Sequence, residues 1–166
     1  MPSPFTSPAE WFATRRTALS RGGLWLDGRE PGRPDPADFA RARLRLLICR
    51  LSPYDDVETS ITHRVLLCAA RAVPGVYADL AFFPPETDAV LLRRDGIPFW
   101  LASGAKRPPT DFDVVAISLS VQQEAFHLPV ALQASGLRLD FAGRMADAAQ
   151  PLIVLGGHGA GSAPFL

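Results

Sequence analysis

Pro151–Gly161 reads PLIVLGGHGAG. The aliphatic residues Leu152 to Leu155 run directly into a glycine pair and then a loop of small residues. A short apolar run bounded by turn signals is the pattern of a fully buried strand in a parallel sheet. Gly156 and Gly157 let the backbone turn sharply, or approach something closely, just past that strand. In open α/β sheets the carboxyl ends of the strands are where ligands bind. The same letters also describe a plain strand-to-loop turn, so the rest of the chain has to decide.

Upstream, apolar runs alternate with helical patterns. Leu44–Leu51 (LRLLICRL) predicts a first strand, Val76–Phe83 (VYADLAFF) a second and Asp113–Leu119 (DVVAISL) a third. A helix is expected from Ser60 to Val73, with Ile61, Val65, Leu66, Ala69 and Val73 as its apolar face and Pro74-Gly75 as its stop. Glu86–Asp95 is a second helix, acidic in its first turn, basic in its last and capped by Gly96. Ile97–Leu101 reads as a brief edge strand, because Pro98 bars a central place. Gln122–Ser135 is helical, with Ala125, Leu128 and Leu132 facing inward and Pro129 requiring a kink or a late start. Leu137–Gln150 reads as polar and irregular. This alternation predicts an α/β fold with a doubly wound, mainly parallel sheet.

The chain divides into an arm and linker over 1–40 and an α/β domain over 41–166. Met1–Pro8 is rich in proline and serine, Ala9–Ser20 has helical spacing after Pro8, and Gly28–Pro36 is a linker by composition. Trp11, Phe12 and Trp25 predict that this N-terminal helical extension packs on the domain; contact with another chain is the alternative. A length of 166 residues suits one domain, and the 17 basic and 17 acidic residues cancel. No basic stripe invites nucleic acid or an anionic membrane. No apolar run approaches the ~20 residues of a bilayer span. The first twenty residues lack the apolar core of a signal peptide, so the expected setting is the cytoplasm. Cys49 and Cys68 lie in apolar runs and are expected to be buried; without CxxC spacing, neither a disulfide nor a metal site is expected of them.

Three loops should gather at the carboxyl edge of such a sheet: Ser52–Ser60, Ser118–Gln123 and Gly156–Gly161. The hydroxyls of Ser118 and Ser120 can donate to a cofactor, or cap the next helix. Asp55, Asp56 and Glu58 offer carboxylates for acid–base or metal chemistry, or else simply favour a helix N-terminus. His158 follows the glycine pair at the presumed ligand edge. His63 and His127 lie inside helices without ligand spacing, which argues against a metal site. GxGxxG, GxxxxGK[ST] and GxSxG patterns do not occur.

In order and spacing, DVVAISLSVQQEAF (Asp113–Phe126), a helix ending at Gly136, PLIVLGGHGAG and the terminal APFL resemble the N-terminal region of certain radical S-adenosylmethionine (SAM) enzymes. Those proteins carry a cobalamin-binding-like Rossmann domain ahead of a catalytic barrel. PYDDVETSITHRVLLCAA (Pro53–Ala70) and LAFFPPETDAVLLRRDGIPFWLASGAKRP (Leu80–Pro108) resemble the same region, so the likeness runs from about Leu44 to the end. It implies a cofactor site built from a serine-containing turn after a central strand and a glycine pair after a later one. Ser118 and Gly156-Gly157 occupy those places, and the cofactor site expected at this edge takes in Ser120 and His158 as well.

Two departures shape the expectation. Where the family's Asp-x-His-x-x-Gly loop would stand, the chain reads Asp56-Val57-Glu58, so the histidine that would ligate cobalt is missing. Many enzymes of this type lack it too. The chain also has no CxxxCxxC, so an iron–sulfur cluster, and the S-adenosylmethionine it acts on, belong to a parent or partner chain. The expectation is therefore a cofactor-holding or substrate-shaping module, not a complete enzyme. It would bind cobalamin without a protein histidine on the metal and work beside a radical SAM catalytic domain. The rivals are a stand-alone protein binding a nucleotide or other phosphate ligand, and a scaffold with a vestigial site.

Overall fold

The four main apolar runs each form a strand. A computed structural model describes residues 5–27 and 35–162. In it β1 (Leu44–Arg50), β2 (Val76–Ala81), β3 (Val114–Ser118) and β4 (Leu152–Gly156) make one sheet in the order β2-β1-β3-β4. All three ladders are parallel. The helices α1 (Pro8–Arg15), α2 (Leu24–Asp27) and α3 (Pro36–Arg41) precede the sheet. α4 (Tyr54–Val57) and α5 (Thr62–Arg71) join β1 to β2, and α6 (Glu86–Asp95) with an irregular segment joins β2 to β3. α7 (His127–Ala134) and α8 (Phe141–Ala146) join β3 to β4. The chain leaves β1 to one side for β2 and returns to its other side for β3, which puts a topological switch point between β1 and β3.

Side-chain alternation along the strands divides the interior in two. On the first face Ile48, Ala78 and Leu80 pack with Leu67 of α5, Ala89 and Leu92 of α6, and the arm residues Trp11, Phe12, Trp25 and Leu26. On the second, Leu47, Cys49, Val115 and Ile117 pack with Leu128 and Leu132 of α7 and with Trp100 and Phe112.

The arm is pinned as well as packed. The Trp11 indole donates to Asp95 Oδ2 at 3.0 Å, and the Trp25 indole donates to Asp88 Oδ2 at 2.8 Å. Both acceptors sit on α6 and are at most 5% exposed, so each buried indole N–H has a charged partner. The expected linker falls largely on residues 28–34, outside the described residues.

Five local expectations are corrected. α5 buries His63 and Leu67, while its most apolar stripe points outward, with Ile61 71% and Val65 59% exposed. The spacing was helical, but the line that meets the sheet carries an imidazole, edge-on to Phe82 at 5.4 Å. Ile97–Leu101 forms no strand. Phe99 N–H donates to the Ala134 carbonyl and Trp100 N–H to Ser135 Oγ, so the end of α7 satisfies this buried backbone in place of a ladder. Within the stretch expected to be irregular, α8 forms behind Asp140, whose side chain caps it by accepting from Gly143 N–H. β4 is an edge strand, not a fully buried one: Leu152 and Val154 on the first face are 55% and 47% exposed. The thiols differ likewise, with Cys49 buried and Cys68 exposed.

Pro129 has the late start its ring demands. A short 3-10 helix, Gln122–Phe126, comes first, and Pro129 then falls in the opening turn of α7, where an N–H is not needed. Among the described residues no helix is long and apolar enough to cross a membrane.

Candidate ligand site at the carboxyl edge of the sheet

Arg50, Ser118 and Gly156 end β1, β3 and β4, and the register sets them in one row across the sheet. Residues paired this way in a parallel sheet present their side chains to the same face, here the first. Arg50 interrupts an apolar run, and its guanidinium reaches across to β3, where Nη1 donates to Ser118 Oγ at 3.2 Å. Arg50 and Ser118 are 3% and 7% exposed. Among the described residues Arg50 Nε is buried with no hydrogen-bond partner, and the side chain makes no ion pair.

Glu124, also buried, is the carboxylate that acts on Arg50 through space. Burial draws the Arg50 pKa down and the Glu124 charge opposes that drop; a guanidinium nevertheless stays protonated. Glu124 is already engaged elsewhere. It accepts the backbone N–H groups of Ser120 (2.6 Å) and Val121 (3.2 Å), and also the Ser52 hydroxyl. It thereby ties the loop after β1 to the loop after β3, and it acts on Arg50 without contacting it, so among the described residues no carboxylate touches the guanidinium at the switch point.

The two glycines differ. A Cβ on Gly156 would meet no heavy atom within 4 Å, so the row ends in open space. Gly157 has φ 107° and lies against the chain itself; a Cβ there would collide with the Leu119 carbonyl oxygen. The next turn confirms that wrap, since Gly159 N–H donates to the Leu119 carbonyl at 3.0 Å. Ser120 is half-buried beside Glu124, and His158 is exposed on the loop beyond.

Other candidates do not converge here. Asp55 pairs with Arg21 of the arm, as does Glu58 at 3.5 Å, while Asp56 faces solvent. Tyr54 and Val57 of α4 are buried in the core. His127 stacks on Phe83 and places Nδ1 2.8 Å from the Leu51 carbonyl oxygen. Among the described residues no group of His, Cys, Asp and Glu could hold a metal ion. A separate hollow of about 370 Å³ lies under α7 and α8, lined by Ile117, Leu132, Phe141, Arg144 and Leu155 among others.

Sequence reasoning missed Arg50 and Glu124. For Arg50 a signal existed: a cation inside LLICRL, at the end of a strand otherwise apolar, needs a reason to be there. Glu124 lay in what reads as an ordinary helix start.

The row presents a guanidinium, a hydroxyl and an open glycine, and among the described residues no imidazole stands in it. Ser118, which the family resemblance would set against the cofactor, accepts from Arg50 and keeps its own proton to donate. His63, the imidazole nearest in sequence to the loop after β1, is 0% exposed against Phe82. The space inside Gly157 is filled by Leu119.

Comparison with known proteins gives the wider setting. No curated protein and no solved structure gave a significant match. The family described as "Radical SAM proteins, N-terminal" matches residues 63–165, from α5 through β3, the Glu124 loop and the glycine pair to the end of the chain. That span covers more than half of the sequence, and the chain therefore belongs to the family of N-terminal regions of radical SAM proteins.

Proposed function

We propose that this domain is a ligand-holding module of a radical SAM protein, which presents a small molecule at the carboxyl edge of its sheet to a catalytic domain that carries the iron–sulfur cluster. Membership of the family supports the catalytic partner. The observation that carries the reading is the row Arg50–Ser118–Gly156, where a buried cation and an open glycine meet at the switch point. With two cysteines, the chain cannot supply the three thiolates of a radical SAM cluster itself. Its own residues bind and orient.

Cobalamin, which the family resemblance implied, is the competing occupant. It would meet the Ser118 hydroxyl beside the Arg50 guanidinium, with no protein histidine on its metal, since His63 is packed against Phe82. The purified chain tests both readings together. Small molecules released by denaturation are identified by mass spectrometry, and hydroxocobalamin is titrated while its visible spectrum is followed. The proposal expects a ligand from the wild type that is lost from Gly156→Val, whose side chain fills the open space. Saturable cobalamin binding that Gly156→Val abolishes would identify the cofactor. A chain that carries nothing and binds no cobalamin would leave a scaffold.

A further inference from the structure

We propose that Arg50, Ser118 and Gly156 form a site for an oxyanion, a carboxylate or phosphate, borne on an apolar body that lies along Val154 and Leu152. The inference rests on the edge being a ligand site and deepens that reading by naming the chemistry of the ligand.

A guanidinium offers five N–H donors in a planar fork, and Arg50 spends one of them on a neutral hydroxyl. Holding such a group 3% exposed with Nε unpaired is unfavourable unless something anionic completes it. Glu124 offsets part of the charge through space, but its hydrogen bonds go to two backbone N–H groups and a serine hydroxyl, so it leaves the remaining donors of the fork uncontacted. Carboxylate and phosphate are the groups whose geometry matches the fork. Ser118 Oγ accepts from Arg50 and retains its own proton to donate to the same anion.

The shape of the site supplies the rest. At Gly156 the row opens, which leaves room for a head group beside Ser118. Down the same face from Gly156, Val154 and then Leu152 stand 47% and 55% exposed, while Ala116 and Val114 of β3 are only partly covered. In a parallel sheet both faces are normally covered. Here an apolar strip on β4 leads by way of Gly156 and Ser118 to a guanidinium with uncontacted donors, and that pattern selects an acid with an apolar tail over an apolar compound alone.

Isothermal titration of the full chain with phenyl phosphate, benzoate, inorganic phosphate and benzyl alcohol tests the proposal. Phenyl phosphate and benzoate should bind saturably, and their relative affinity tells phosphate from carboxylate. Benzyl alcohol, without the charge, should bind at least about 10-fold more weakly, and Arg50→Met should lose about 10- to 100-fold for both anions, the worth of one or two charged hydrogen bonds. Arg50→Lys, a point charge without the fork, should fall between. Inorganic phosphate should bind more weakly than phenyl phosphate by a similar factor. A thermal melt of Arg50→Met confirms that it is folded, and Ser118→Ala, a smaller change, should weaken binding in parallel. Equal binding by wild type and Arg50→Met, or benzyl alcohol binding as well as benzoate, would overturn the proposal. A wild type that carries a ligand from purification which Arg50→Met also retains would overturn this site while leaving the module reading intact.

Discussion

Valine at each of the two adjacent glycines should separate packing from binding. Gly157 sits at φ 107°, a conformation that costs a β-branched residue about 1–3 kcal/mol. Its new Cβ would also push against the Leu119 carbonyl, which accepts from Gly159 N–H, while Leu119 N–H donates to the Gly156 carbonyl. Losing those two bonds adds about 1 kcal/mol each, for a total of about 3–5 kcal/mol. In a chain of this size each kcal/mol moves Tm by about 2–4 °C, so Gly157→Val should melt about 6–20 °C early. Gly156 has an ordinary strand backbone and an empty Cβ position. A side chain there relieves the strand of a glycine worth about 0.5–1 kcal/mol, so Gly156→Val should melt with the wild type or slightly above it. Circular dichroism melts of the three proteins give the answer. If Gly156→Val melts as early as Gly157→Val, the open space beside Ser118 does not exist and the site loses its mouth.

Three further outcomes follow from the packing and the charges. Asp88→Ala strands the Trp25 indole and the Ser20 N–H without their acceptor, and should cost about 2–4 kcal/mol in urea denaturation; a change within about 0.5 kcal/mol would mean the arm is not anchored there. Asp95 is held down to a pKa of about 2, first by Arg94 and further by Trp11 and Arg15. A carboxylate with a lowered native pKa stabilises the fold above its ordinary range and loses that contribution as pH falls toward about 2. With Arg94 and Arg15 part-exposed and screened, about 1–2 kcal/mol should vanish between pH 4 and 2, and Asp95→Asn should flatten that slope in acid titrations of stability. A thiol reagent on the native protein should modify Cys68 and spare Cys49, which is buried with its pKa pushed up by desolvation; two thiols reacting at one rate would contradict the burial.

What the sequence revealed and what it hid have separable causes. The strands were visible because each is an apolar run ended by Pro, Gly or Ser, and α6 was visible because both its ends carry charge and cap signals that need no tertiary context. The buried face of α5 was not. Counting aliphatic residues chose Ile61 and Val65, yet the sheet beneath accepts an imidazole beside Phe82, and that follows from tertiary packing alone. The exposure of β4 was hidden for a related reason: four aliphatic letters cannot say whether a neighbour covers both faces. Ser118 and Gly156, which the register sets in one row, could be singled out because turn residues after strands are readable. Arg50 was passed over because its place beside them depends on a register set across two ladders.

The most direct test of a ligand site on the Arg50–Ser118–Gly156 row is a ¹H–¹⁵N correlation titration of the labelled chain with phenyl phosphate. The largest amide shifts should fall on Ser118 and Gly156, reach into Arg50 and the Leu119–Val121 turn, and disappear in Arg50→Met. Shifts centred instead on Leu132, Phe141 and Arg144, around the hollow under α7 and α8, would place the ligand elsewhere and contradict the account.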